Sequence, residues 1–291
     1  MNIVDARLGL FCFGHGYVAS ALASAVALDG WKFAGTCRTD TKCKILNANG
    51  ITAHLFDSDL PLANSTEVLS EFTHVLVSVP PDEMDDPVLN LHLKDLCDHG
   101  RLKWIGYLST TGVYGDCNGE WVEETAPVRP TSERGKRRAM AESRWQEFGQ
   151  NTGVPVQIFR LAGIYGPMRN PLAQLRAGTA RRIHKEGQVF GRIHIDDIVA
   201  SLRSSIANPN SGAIYNVADD LPASPCQVIS YAAHLLGMEP PSLEDFKTAK
   251  MSEMGRSFYM ENKRVSNRLL KDELGVSLKY PNYRVGLRAL L

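Results

Sequence analysis

The feature that most constrains this chain is its first apolar run and the glycine-rich turn at its end. LGLFCF at 8–13 leads directly into GHGYVASALA, which places Gly14, Gly16 and Ala19 in the spacing G-x-G-x-x-A. A buried strand, a glycine turn and a helix start in that order form a phosphate-binding turn. Gly14 permits the tight turn, Gly16 lets a pyrophosphate approach the backbone, and Ala19 keeps the helix close to the strand. The backbone N–H groups of the turn and first helical residues, Gly14, His15, Gly16, Tyr17 and Val18, are the expected phosphate ligands.

The rest of the first 160 residues repeats the alternation. Strands are expected at 32–37, 51–56, 73–79, 103–109 and 154–159. Helices are expected near 16–29, 40–48, 65–71, 85–98 and 132–150. LGLFCF is apolar throughout and VLVSV nearly so, as strands buried on both faces require. Strands alternating with helices give βαβ units and a doubly wound, Rossmann-type parallel sheet. After Pro167 the alternation loosens. Helices are read at 170–182, 224–236 and 262–274, the last ending at Gly275, with a strand–helix passage at 189–207 and a strand at 214–217. The expected organisation is a dinucleotide-binding domain over 1–167 and a small α/β C-terminal cap over 168–291, partly interleaved with the sheet.

The second strand ends in GTCRTD, so Arg38 and Thr39 stand where a carboxylate would select NAD. Arg38 favours a ribose 2′-phosphate, hence NADP(H) over NAD. Asp57, after the third strand, either meets the adenine or caps its turn. Val79 and Pro80 at the end of the fourth strand and Ser109 at the end of the fifth complete the expected cofactor contacts.

Composition excludes several classes. Lys+Arg and Asp+Glu both total 32 in 291 residues. A balanced chain has no global hold on nucleic acid or an anionic membrane. No apolar run is long enough to span a bilayer, and no signal peptide is read at the N-terminus. Six cysteines are scattered without C-x-x-C pairs or zinc spacing. They read as reduced thiols of a cytoplasmic protein, with no metal site.

Four motifs in order resemble the extended and atypical short-chain dehydrogenase/reductase superfamily, its NAD-dependent epimerase/dehydratase group. They are STTGVYG at 109–115, FRLAGIYGP at 159–167, RIHIDDIV at 192–199 and IYNVADD at 214–220. Ser78–Pro81 is similar to the S-V-P-P of the atypical members. The resemblance implies a Ser/Thr at Thr110 and then Tyr-x-x-x-Lys on the next helix. RGKRRAMAE at 134–142 holds that register through Gly135 and Glu142 but carries Arg134 for the tyrosine and Arg138 for the lysine. The Asp–Glu pair of dehydratases is replaced by Thr111 and Gly112. A guanidinium stays charged and cannot serve as a general acid or base. Tyr165, or Tyr114, is the alternative proton source. Arg138 can still hold the cofactor ribose, and two arginines suit an anionic substrate.

The expected function is that of an NADP(H)-binding, reductase- or epimerase-related protein. Its substrate is a small anionic or nucleotide-linked molecule, and its catalytic residues are non-standard. A non-catalytic NADP(H) sensor or scaffold is the alternative. The resemblance also implies a homodimer through the helices at 85–98 and 132–150, the first rich in Val88, Leu89, Leu91, Leu93 and Leu96.

Overall fold

The computed structural model describes residues 8–291. In chain order the elements are β1 (Gly9–Phe13), α1 (Tyr17–Leu28), β2 (Lys32–Cys37), α2 (Asp40–Ala48), β3 (Thr52–Leu55), α3 (Ser65–Ser70), β4 (His74–Val77), α4 (Pro87–Cys97), β5 (Trp104–Thr110), β6 (Trp121–Val122), α5 (Glu133–Thr152) and β7 (Val156–Leu161). The chain continues through β8 (Gly163–Tyr165), α6 (Pro171–Arg176), β9 (Arg182–His184), β10 (Arg192–His194), α7 (Ile195–Ala207), β11 (Ile214–Val217), α8 (Pro225–Leu235), β12 (Leu243–Asp245), α9 (Glu253–Tyr259), β13 (Arg264–Val265), α10 (Arg268–Leu274) and α11 (Tyr283–Arg288).

Seven strands form one sheet in the order β11-β7-β5-β4-β1-β2-β3. The pairs β1–β2, β1–β4, β2–β3 and β4–β5 are parallel. The order reverses beside β1, which makes this a doubly wound sheet with a switch point at the end of its first strand. Every residue of β1, β4 and β7 is buried, whereas the edge strand β3 has none buried. Central parallel strands are covered on both faces and are therefore mostly apolar; the buried His74 of β4 and Gln157 and Arg160 of β7 are hydrogen-bonded.

The chain gathers into two compact units. The first takes Met1–Ser109, Arg137–Phe159 and Leu202–Ile214; the second takes Thr110–Lys136, Arg160–Ser201 and Tyr215–Leu291. The first unit is held by Phe11, Phe13, Phe56, Phe72, Val75, Ile105, Tyr107, Trp145 and Ile158. Val88, Leu89 and Leu96 of α4 belong to this core and Leu91 packs on it, so only Leu93 of the five apolar α4 side chains is exposed. The second unit has its own core, in which Tyr165, Leu172, Leu175, Val228, Ile229 and Leu287 meet. It also contains three two-stranded parallel pairs, β8–β10, β9–β12 and β6–β13.

Three expectations do not hold. The helix read at 170–182 stops at Arg176, and Arg182–His184 is a strand paired with β12. The helix read at 262–274 begins only at Arg268, because Arg264–Val265 pairs with Trp121–Val122. The cysteines are not all reduced thiols. Cys37 and Cys43 form a disulfide, their Cα atoms 6.0 Å apart, within the span that the bond requires. Cys37 closes β2 and Cys43 sits in the first turns of α2, so the reversal between strand and helix brings the two together. Cys12, Cys97, Cys117 and Cys226 remain thiols. Among the described residues no helix is long and apolar enough to cross a membrane.

Candidate functional site

In the first unit the glycine turn stands between the end of β1 and α1. Gly14 has φ of +91°, and a Cβ there would lie 2.9 Å from Val79 Cγ2 and 3.1 Å from Val79 N. The position therefore excludes side chains on both conformational and steric grounds. The Gly14 N–H donates to Thr36 Oγ1 at 2.8 Å, which ties the turn to β2. Gly16 is the extended N-cap of α1; no side chain caps that end, and the first turn holds no acid. A Cβ on Gly16 would meet nothing within 4 Å. An uncapped helix start with its positive dipole end facing open space fits a pyrophosphate. Tyr17 and Val18 open this helix, and Ala19 is fully buried, as close strand–helix packing needs.

The His15 side chain is directed elsewhere. Its ring packs edge-on against Phe33 at 5.5 Å and its Nε2 meets Ser20 Oγ at 3.0 Å. Burial and the nearby Lys42 charge lower its pKa, so the ring is neutral. Its main chain is what reaches outward: the His15 carbonyl accepts a bond from Lys42 Nζ at 2.9 Å.

At the end of β2, Arg38 is exposed and makes no ion pair among the described residues. Thr39 Oγ1 accepts the Lys42 N–H at 3.3 Å and caps α2. Asp57 accepts the Ser58 N–H at 2.9 Å, and its backbone pairs with Leu60. Its carboxylate thus caps a turn, with one oxygen engaged there. Val79 hydrogen-bonds Phe13 through its backbone and walls the glycine turn, and Pro80 next to it is exposed.

At the end of β5, Ser109 donates to Glu142, and both are buried. Arg138 is half-buried and turns toward the strand, donating to the Leu108 carbonyl and to Tyr107 Oη at 3.2 Å. Its guanidinium also lies 5.5 Å from the Tyr107 ring centre. Burial pushes the Tyr107 hydroxyl well above its ordinary range, so it does not exchange protons near neutrality. Asp86 accepts from Trp145 Nε1 at 3.0 Å and from the Val88 and Leu89 N–H groups, which seats α4 against α5.

In the second unit, Thr110 Oγ1 accepts the Gly112 N–H at 3.1 Å and caps the 3-10 turn Thr111–Tyr114. Arg134 lies over the Phe258 ring at 4.7 Å and is exposed. Tyr165 is buried against Gly286 and edge-on to His194, and its hydroxyl has no hydrogen-bond partner among the described residues. Burial raises its pKa far above the usual phenol range, with Asp219 and Asp197 adding to the shift. Tyr114 Oη donates to Asn216 Oδ1 at 2.7 Å and accepts from Arg160 at 2.9 Å. Both tyrosines thus stay protonated.

Several groups at these sites carry no motif of their own. Glu142 reads in the sequence only as a register mark, yet it is the partner of Ser109. Lys42 links α2 to the glycine turn. Glu261 and Lys263 form an ion pair at 2.7 Å, where Lys263 also donates to the Gly115 carbonyl and Thr131 to Glu261. The only sequence signal for Lys42 is its place four residues after Arg38; the ion pair has none.

Comparisons with known proteins point the same way. The chain is 27% identical over 279 residues to Protein YeeZ of Escherichia coli K12, covering 92% of this chain and 95% of that one. Among solved structures, a conserved protein of unknown function from Silicibacter pomeroyi is 48% identical, with a TM-score of 0.90 and 98% of each chain covered. The UDP-glucuronic acid 4-epimerase of Bacillus cereus, solved with UDP-glucuronic acid and NAD, shares the fold at a TM-score of 0.76. It is 17% identical, with 97% of each chain covered. The profile of the NAD dependent epimerase/dehydratase family matches residues 14–218, from the glycine turn to the end of β11, and the chain belongs to that family.

Proposed function

We propose that this protein binds NADP(H) at the β1–α1 turn and acts on a small anionic or nucleotide-linked substrate with a non-standard catalytic set. The observation that carries the reading is the uncapped α1 start at Gly16, open to solvent, together with the unpaired Arg38 at the end of β2. The backbone of Gly14–Val18 would hold the pyrophosphate, Arg38 and Thr39 the 2′-phosphate, and Ser109 and Arg138 the nicotinamide ribose. Asp57, Val79 and Pro80 would border the adenosine half. The bound dinucleotide supplies hydride chemistry.

The chain's own residues divide the remaining work. Arg138 is fixed by the Leu108 carbonyl and keeps a permanent positive charge beside the β5 end. Thr110 uses its oxygen as an acceptor and keeps its O–H for a ligand. Arg134 stabilises developing negative charge without delivering a proton, because guanidinium remains protonated. An anionic substrate suits such a set. The structurally similar B. cereus enzyme binds UDP-glucuronic acid, which supports a nucleotide-linked anion as the substrate class. That protein carries NAD, and Arg38 is the reason for assigning NADP(H) here.

Calorimetric titration with NADPH and NADH tests the cofactor. NADPH is expected to bind tighter, and Arg38→Asp to weaken NADPH alone by roughly 10- to 100-fold, the loss of a charge-assisted bond. Equal affinities in the unaltered protein overturn the Arg38 assignment.

A further inference from the structure

We propose that Cys37 and Cys43 are a reversible thiol–disulfide site that sets the affinity of the adjoining Arg38 segment for NADP(H). The inference rests on the cofactor reading above. The bond joins cysteines six positions apart and closes a loop around Arg38, Thr39, Asp40, Thr41 and Lys42. All five enclosed residues are exposed, while the two cysteines beneath them are 5% and 6% exposed. The loop carries everything the chain presents at the end of β2: the unpaired Arg38, the α2 cap Thr39, and Lys42 with its bond to the His15 carbonyl. One covalent bond therefore restrains the backbone of the segment that carries Arg38, and the Lys42 bond ties that segment to the glycine turn.

The chemistry is balanced with a peroxide as oxidant. One thiol gives up its proton, and its thiolate attacks the O–O bond to become a sulfenic acid; the departing hydroxide takes up that proton and leaves as water. The second thiol attacks that sulfur, forming S–S and releasing a second water. A dithiol reverses the bond by exchange: it gives two electrons and two protons to the two protein sulfurs and is itself oxidised to a disulfide. Peroxide is small enough to reach sulfur atoms that a protein partner would not.

The direction comes from preorganisation. With the bond closed, the segment is already ordered and a bound 2′-phosphate need not immobilise it. With the bond open, that ordering is charged against binding. Ordering one such side chain is worth about 3- to 10-fold, so the oxidised form binds NADPH tighter by that factor. Linkage then requires NADPH to stabilise the disulfide by the same factor. The midpoint potential falls by about 15–30 mV when NADPH is present.

The experiment treats the whole protein with hydrogen peroxide or with dithiothreitol and measures NADPH affinity in each state. Tryptic mapping tracks the bond, since cleavage after Arg38 and Lys42 separates the cysteines unless they are joined. The expected result is a linked Cys37–Cys43 peptide pair after peroxide, tighter NADPH binding in that state, and insensitivity to both reagents in Cys43→Ser. Absence of the linked pair, or equal NADPH affinity in the two states of the unaltered protein, overturns the proposal. If neither state binds NADPH, the cofactor reading fails and the coupling with it, while the peptide map still decides whether the bond forms.

Discussion

At the residue scale, the proposal with the greatest chemical consequence is that Arg134 takes the family's tyrosine position. A placed general acid contributes typically about 10²–10⁴-fold, and Arg134 cannot act as one. The unaltered protein is therefore expected to show little or no epimerisation of UDP-glucose in a coupled assay, with cofactor binding intact. Arg134→Tyr with Arg138→Lys is expected to raise that rate. A fast epimerase whose rate is unchanged by Arg134→Ala would refute the assignment. A second residue-scale effect concerns stability. Asp219 is buried in the second unit, beside Arg192, Asp220 and Asp197, and burial pushes its carboxyl up to about 8. An unfolded aspartate titrates near about 3.9, so the native state binds the extra proton between these values. Stability consequently falls as pH rises from about 4 to about 8, and the loss is complete above about 8. Asp219→Asn keeps the acceptor oxygen that meets the Leu221 N–H. Its melting temperature at pH ~8 is expected to exceed the parent's by about 2–6 °C, with no gain at pH ~4. An equal gain at both pH values would assign the effect to packing.

At the scale of elements, α11 meets β8 through the absence of a side chain. A Cβ on Gly286 would lie 2.1 Å from Tyr165 Oη, in a core where Tyr165 is 5% exposed. Gly286→Ala is expected to cost about 1–3 kcal/mol by overpacking, read as a lower denaturation midpoint. Tyr165→Phe in the same background removes the clashing oxygen and is expected to recover part of the loss. Helix α11 is not legible in the sequence: its six residues, YRVGLR, offer too little periodicity to read. Residues 170–182 mislead for the opposite reason, since apolar spacing continues past the real end of the helix. Ala177 ends α6, and Gly178 at φ of +66° turns the chain into β9. The central strands are legible nearly to their ends because burial on both faces leaves a signature in each strand by itself. Strands of two or three residues leave none.

At the scale of the whole molecule, local patterns settled the framework. The apolar runs, the helices between them, the glycine turn and the order of the four later motifs are properties of short segments, and each forced its element. Arg38, Arg134 and Arg138 can be named from the sequence as fixed cations, because a guanidinium holds its charge in almost any surroundings; what each one meets is not legible there. The five apolar residues of α4 show where this stops. Their spacing could not say whether they face the chain's own core or a partner, and the fold buries three of them and packs a fourth against that core. The same holds for the Ser109–Glu142 bond across 33 residues, the Lys263–Gly115 bond across 148 and the pairing of β13 with β6. The Cys37–Cys43 bond needed less distance but a particular reversal of β2 into α2. Sequence determined which segments must be strand, helix or phosphate turn, since backbone geometry and burial act within a few residues. Tertiary structure alone decided which distant polar groups meet and how far each is from water, and therefore which side chains keep their ordinary pKa.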